Sequence, residues 1–199
     1  MLRLLQQRYL SACVLSGGQS RRMGHDKALM PHPAGGTWLS HITGLLIELG
    51  LPVKVLSGHP GHQQQLLLVP GVEVFVEPPP WDGPLQALNR LLEQHEQGPL
   101  FVAPVDMPNL RLGALQTLIS SWQQQPDIAV VAHDGHRLQP LLGIYPFSSR
   151  LHRVLVEELN QGNSSWNYWL SRIPYRSVTL PAIQLLNANS QVDLAALQR

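Results

Sequence analysis

The sequence predicts an α/β fold with a mainly parallel central sheet flanked by helices, and three observations carry that expectation. Short, nearly continuous apolar runs alternate with longer stretches of helical spacing. The runs lack the polar–apolar alternation of a half-solvated sheet, which marks strands covered on both faces. Hydrophobic residues make up 44% of the 199 residues and charged residues 14%, enough apolar surface for one domain with a sizeable core. No internal repeat or linker-like stretch interrupts the pattern, so residues 1–199 read as a single domain.

The elements follow in order. Leu10 to Ser16 is the first strand, preceded by a loosely ordered lead-in at Leu2 to Tyr9. Thr37 caps a helix running to Leu49, with Gly50 as its stop. Pro52 to Ser57 and Val72 to Glu77 are strands. Pro84 to His95 is a helix with Pro84 in its first turn, where the missing N–H costs nothing. Leu100 to Val105 is a strand and Leu110 to Gln124 a helix. Ile128 to His133 and Leu138 to Tyr145 are strands, and Ser148 to Gln161 is a helix. Such alternation implies βαβ units with right-handed crossovers. Ligands in these sheets bind beyond the carboxyl ends of the strands, so the chemistry is sought in the loops after Val14, Val76 and Val105.

A formal net charge of +1, with nine His held aside, gives no broad electrostatic footprint for nucleic acid or membrane. Any anion must therefore be bound locally. Cys13 is the single cysteine, which excludes a disulfide framework and points to a reducing, cytoplasmic setting. Leu10-Ser11-Ala12-Cys13 has the form of a lipoprotein cleavage box, but Gln6, Gln7 and Arg8 break the apolar run such a box needs. No segment is long and apolar enough to span a membrane.

The first loop concentrates the chemistry. Ser16-Gly17-Gly18-Gln19-Ser20-Arg21-Arg22-Met23-Gly24-His25-Asp26-Lys27 joins paired glycines to three cations in a chain poor in charge. Glycines bring bare N–H groups against an anion, arginine forks phosphate oxygens and lysine acts as a point charge. The pattern points to a polyphosphate site, against the alternative of a basic surface turn. Leu-Ser-Gly-Gly-Gln is also the signature loop of ABC ATPases, but the G-x-x-x-x-G-K-[ST] loop those domains need is absent from the sequence. Asp106 ends the apolar run Phe101 to Val105, where it could hold a divalent cation or could start a turn or cap the helix near Leu110. His59, His62, His133 and His136 lack the further ligands of a zinc site and read as surface or loop residues.

The loop L-S-G-G-Q-S-R-R-M-G-H-D-K resembles that of the molybdenum cofactor guanylyltransferases, with Ser16 where the family usually has Ala. Val105-Asp106-Met107-Pro108 is similar to the family's metal-binding D-x-P, and Gly83-Pro84-Leu85-Gln86-Ala87 to its G-P-L-x-G segment, with Ala87 for Gly. Gln139-Pro140-Leu141 to Tyr145 resembles the Q-P-L-x-x-x-Y strand on the acceptor side, and Asn187 to Leu194 the closing N-x-N-[TS] segment. The family's Asp after the third strand has Glu77 as its nearest counterpart, with Asp82 the other acid in reach. Its Asn after the second strand is replaced by Leu56-Ser57-Gly58, leaving Ser57 or the backbone to meet a nucleoside there.

The resemblance implies a three-layer, Rossmann-like nucleotidyltransferase fold and transfer of GMP from GTP to molybdopterin, with Mg2+, in the cytoplasm. It implies nucleotide contacts from Leu15, Ser16, Gly17, Gly18, Arg21, Arg22, Lys27, Glu77 and Asp106, with Arg22, Lys27 and Asp106 catalytic and Asp106 on the metal. Residues from about 10 to 110 would form the nucleotide and metal side, and about 111 to 199 the acceptor side. Molybdoenzymes or their chaperones are the candidate protein partners. The related alternatives are a molybdopterin cytidylyltransferase or a sugar- or polyol-phosphate nucleotidyltransferase. A non-catalytic GTP-binding delivery module is the alternative of a different class.

Overall fold

The computed structural model describes residues 10–17, 26–79, 82–94 and 98–188. Seven strands form one sheet: β1 (Ser11–Ser16), β2 (Val53–Ser57), β3 (Val72–Val76), β4 (Pro99–Pro104), β5 (Ala129–His133), β6 (Leu138–Pro146) and β7 (Tyr175–Thr179), in the spatial order β3-β2-β1-β4-β6-β5-β7. β6 alone runs antiparallel to its neighbours β4 and β5, and the other pairings are parallel. The expected mainly parallel sheet is therefore present.

Among the described residues, six α-helices cover it: α1 (Trp38–Glu48), α2 (Gly61–Leu66), α3 (Pro84–Gln94), α4 (Leu112–Trp122), α5 (Ser149–Asn160) and α6 (Trp166–Ser171). Strand alternation divides the core. Ala12, Val14, Phe101, Ala103, Val130 and Ala132 pack on one face with α1, α2 and α4. Cys13, Leu15, Leu100, Val102, Ala129 and Val131 pack on the other with α3, α5 and α6. Every second residue of these strands is thus buried on each side, which explains their continuously apolar sequences. The result is the three-layer arrangement.

Thr37 caps α1 as expected, in a reciprocal box: Ser40 N–H donates to Thr37 Oγ1 at 3.2 Å and Thr37 N–H to Ser40 Oγ at 2.7 Å. Gly50 follows at φ 75°, the left-handed stop that glycine takes without strain. α4 is shorter than its predicted Leu110–Gln124, because Leu110 N–H is held by the Met107 carbonyl in a turn of the preceding loop. Its N-cap is Arg111, so Asp106 is not a helix cap.

Among the described residues, one strand and two α-helices went unpredicted. β7 is an edge strand with the alternating sequence Tyr-Arg-Ser-Val-Thr, while α2 and α6 are six residues each, too short for a periodic signal. Among the described residues, no helix is long and apolar enough to cross a membrane. The lead-in at Leu2 to Tyr9 and the end of the closing segment, from Asn189, lie outside the described residues.

Candidate active site

The chain leaves β1 for β2 and β3 on one side, then returns to place β4 on the other. This reversal opens a crevice at the carboxyl ends of β1 and β4, the position where α/β sheets bind ligands. A cavity of about 240 Å³ occupies it. Leu15, Ser16 and Gly17 line it from β1, and Pro104, Val105 and Asp106 from β4. Asp26, Lys27 and Ala28 close another wall, with Pro84 at the start of α3 and Leu141 on β6. Because β6 is antiparallel, its first half reaches the same end of the sheet as the loop after β4.

Five of the predicted site residues therefore converge here: Leu15, Ser16, Gly17, Lys27 and Asp106. Gly18, Arg21 and Arg22 lie outside the described residues. Lys27 opens a single 3-10 turn, Lys27–Leu29, whose N-cap Asp26 accepts Ala28 N–H through Oδ1 at 3.1 Å. The buried Ala28 pins that turn to the core beneath α1.

Burial pushes the Asp106 carboxyl above its ordinary pKa, while the Lys27 ammonium and a backbone N–H pull it down. A partly desolvated carboxylate opposed by one lysine offers a hard oxygen donor to a divalent cation. Two backbone bonds hold its loop: Val105 N–H donates to the Leu15 carbonyl at 3.2 Å, and Ala188 N–H to the Asp106 carbonyl at 3.0 Å. Two stacked imidazoles, His32 and His41 at 3.8 Å, add outer ties, donating Nε2–H to the carbonyls of Pro108 (2.8 Å) and Leu110 (2.9 Å). Burial lowers the His41 pKa, the Leu110 carbonyl raises it and His32 lowers it again.

Glu77 is not among the residues lining the cavity. Arg90 on α3 donates to Glu77 Oε2 at 2.7 Å and to Asp82 Oδ2 at 3.2 Å, so one guanidinium bridges the two acids the sequence offered for the nucleoside. Two expectations are corrected. Ser57 is fully buried, with its hydroxyl bonded to His62 and to the backbone of His59, so its side chain cannot meet a nucleoside. His62, read as a surface or loop residue, lies in α2 and is also fully buried. Its Nε2 lies 2.6 Å from Asp26 Oδ2 and its Nδ1 2.7 Å from Ser57 Oγ.

Leu141 carries the Q-P-L segment to the cavity, whereas its neighbours are structural. Gln139 donates to Asp134 at 2.8 Å, and the buried Tyr145 hydroxyl accepts Trp166 Nε1–H at 2.8 Å. Sequence reasoning missed Asp26 and His62 as parts of the site. Asp26 was visible beside Lys27 in the loop motif, but Gly-His-Gln-Gln-Gln-Leu carries no local signal that His62 turns inward.

The MobA-like NTP transferase domain profile matches residues 12–172. A protein of Rhodopirellula baltica named a probable molybdenum cofactor guanylyltransferase is 34% identical over 194 residues, covering 93% of this chain and 90% of its own. A Nostoc protein of the same name is 31% identical over 192 residues, covering 95% and 90%. Among solved structures, molybdopterin-guanine dinucleotide biosynthesis protein A of Archaeoglobus fulgidus superposes with a TM-score of 0.69 over 94% of this chain and 96% of its own, at 19% identity. A Methanothermobacter nucleotidyl transferase superposes at 0.73 over 95% of each chain, at 18% identity, a likeness of fold. With its fold, its switch-point cavity and this match, the chain belongs to the MobA-like NTP transferase family, whose members include the molybdenum cofactor guanylyltransferases.

Proposed function

We propose that this nucleotidyltransferase moves the guanylyl group of GTP to the phosphate of molybdopterin, releasing pyrophosphate. The observation that supports this most is the meeting of Lys27 and Asp106 in one cavity at the β1–β4 switch point of a MobA-like chain. A phosphate oxygen of molybdopterin attacks the α-phosphorus, the bond to the β-phosphate oxygen breaks, and pyrophosphate leaves. A phosphate is anionic at neutral pH, so no protein base is required. Positioning and charge stabilisation carry the rate.

Leu15, Ser16, Gly17 and Gly18 are assigned to the nucleotide through their backbone, with Glu77, in its pair with Arg90, as the acid nearest the end of β3. Arg22, supported by Arg21, receives the charge of the leaving pyrophosphate. Lys27 offsets charge at the α-phosphoryl group. Asp106 would hold the divalent ion, with magnesium the choice for a site of one carboxylate and substrate phosphates. When bound, that ion withdraws charge from the phosphate oxygens and orients them. The half of the sheet up to about residue 110 serves nucleotide and metal, and the half from about 111 serves the acceptor, in keeping with ligand placement at a switch point. The product, made in the cytoplasm, would pass to molybdoenzymes or their chaperones.

The deciding experiment measures pyrophosphate release with magnesium and each of the four nucleoside triphosphates, with and without molybdopterin. GTP-selective release that depends on molybdopterin is the expected result. Preference for CTP would overturn the choice of base and keep the chemistry. Binding of GTP with no release from any triphosphate would replace the enzyme by a binding module.

A further inference from the structure

α2 buries one face through His62 and Leu66, four residues apart, and His62 is the polar member of that face. Both of its ring nitrogens are engaged. Nε2 lies 2.6 Å from Asp26 Oδ2, and Nδ1 lies 2.7 Å from Ser57 Oγ and 3.2 Å from Ser16 Oγ. A carboxylate only accepts, so Nε2 carries the ring hydrogen and Nδ1 is left as an acceptor with one lone pair between the two hydroxyls, of which Ser57 Oγ–H also reaches the His59 carbonyl at 2.9 Å. Burial also favours the neutral ring, against the pull of Asp26.

This one ring joins Ser16 at the end of β1 and Asp26 at the head of the Lys27 turn, both on the cavity wall, to Ser57 at the end of β2.

Asp26 transmits the contact. Its Oδ2 takes the His62 N–H while its Oδ1 takes the Ala28 N–H, so the carboxylate cannot rotate without losing one bond. Resting on the reading that Lys27 acts on the α-phosphoryl group, we infer that His62 is a positioning residue that, through Asp26, fixes the turn presenting Lys27 to the cavity. His62 does not itself line the cavity. An ångström of drift in a charged group is enough to cost turnover, and outer contacts of this kind carry comparable losses.

The test compares His62→Gln with His62→Asn. Glutamine places an amide N–H near Nε2 and keeps the Asp26 bond; asparagine reaches only the Nδ1 position and keeps the serine side. Both delete the ring, so a packing role predicts equal damage. The expected result is a kcat for guanylyl transfer about tenfold or more lower in His62→Asn, with KM for GTP little changed, and a kcat within about threefold of wild type in His62→Gln. Lys27 and Lys54 are the lysines of the chain, so 13C-dimethyl-lysine NMR reports Lys27 directly. Its resonance should move in His62→Asn and stay in His62→Gln. Equal losses in the two variants, or full kcat in both with an unmoved Lys27 signal, would overturn the inference. If the wild type itself transfers no nucleotide, the proposed function fails instead. The Lys27 resonance then decides alone: shifted in the Asn variant only, it supports the inference, and any other pattern overturns it.

Discussion

Lys27 and Asp106 line the same cavity from different loops, and the Lys27 ammonium lowers a carboxyl pKa that burial raises. Charge is thus held in a partly dry site before any ligand arrives, the arrangement that gives electrostatic stabilisation its largest effect. Lys27→Ala and Asp106→Ala should each lower turnover by about two orders of magnitude or more. Pyrophosphate release from the folded variants measures this, and near-normal turnover in either would remove that residue from the mechanism.

The same desolvation makes Asp106 costly to an unliganded fold. Asp106→Asn keeps the shape and removes the charge, so it should melt about 2–4 °C higher while losing activity. A melting temperature at or below wild type would mean that the carboxylate is compensated within the protein.

Acid should weaken the fold through two histidines. Burial is the leading cause that lowers the pKa of both His62 and His41 from 6.5. Below that value the unfolded chain binds protons that the native state refuses, so their contribution is complete above 6.5 and is lost as pH falls toward the native values. Urea midpoints should therefore fall between about pH 7.5 and pH 5.5, and the fall should shrink in a His41→Gln/His62→Gln double variant. An unchanged slope in the double variant would assign the acid sensitivity elsewhere.

Gly143 is required by close approach. A Cβ there would lie 2.6 Å from the Val130 carbonyl oxygen and 3.0 Å from Val131 Cγ1, beside the bulge between β5 and β6. The oxygen belongs to the backbone and cannot swing aside, so Gly143→Ala should cost about 1–3 kcal/mol in urea unfolding. An alanine variant as stable as wild type would show that the sheet relaxes there freely.

Arg90 and Glu77 form a pair of unequal tolerance. Removing the guanidinium in Arg90→Ala leaves a buried carboxylate with one strong donor fewer, whereas Glu77→Gln keeps an acceptor and removes the charge. Arg90→Ala should therefore lose more stability than Glu77→Gln, by about 1–3 kcal/mol. A reversed order in denaturant melts would place the strain on Arg90.

How much of this was legible in the sequence depends on the range of each interaction. The capped helix from Thr37 to Gly50 was visible because its signals lie within the segment itself. β1, β4 and β5 were visible because burial on both faces leaves no alternation to misread. β7 and the two short helices were not, since their length or polarity falls below any periodic signal.

For the site, local motifs identified Gly17, Lys27 and Asp106, and a resemblance supplied their roles. Their meeting in one cavity is a consequence of the β1–β4 reversal, which no local pattern states. Glu77 was read from its place in the chain, whereas its pairing with Arg90 from the next helix is a tertiary contact.

By itself the sequence determined the alternating architecture and the places of the glycine- and cation-rich loop and of Asp106 after their strands, because each is written in residues close together in the chain. Tertiary structure alone decided which polar groups are buried and with whom. Asp26 and His62 are 36 residues apart, and Ser16 and His62 are 46 apart. A buried hydrogen bond forms only where folding brings donor and acceptor within about 3 Å and removes competing water. That condition depends on strand order, which the chain's local pattern does not contain.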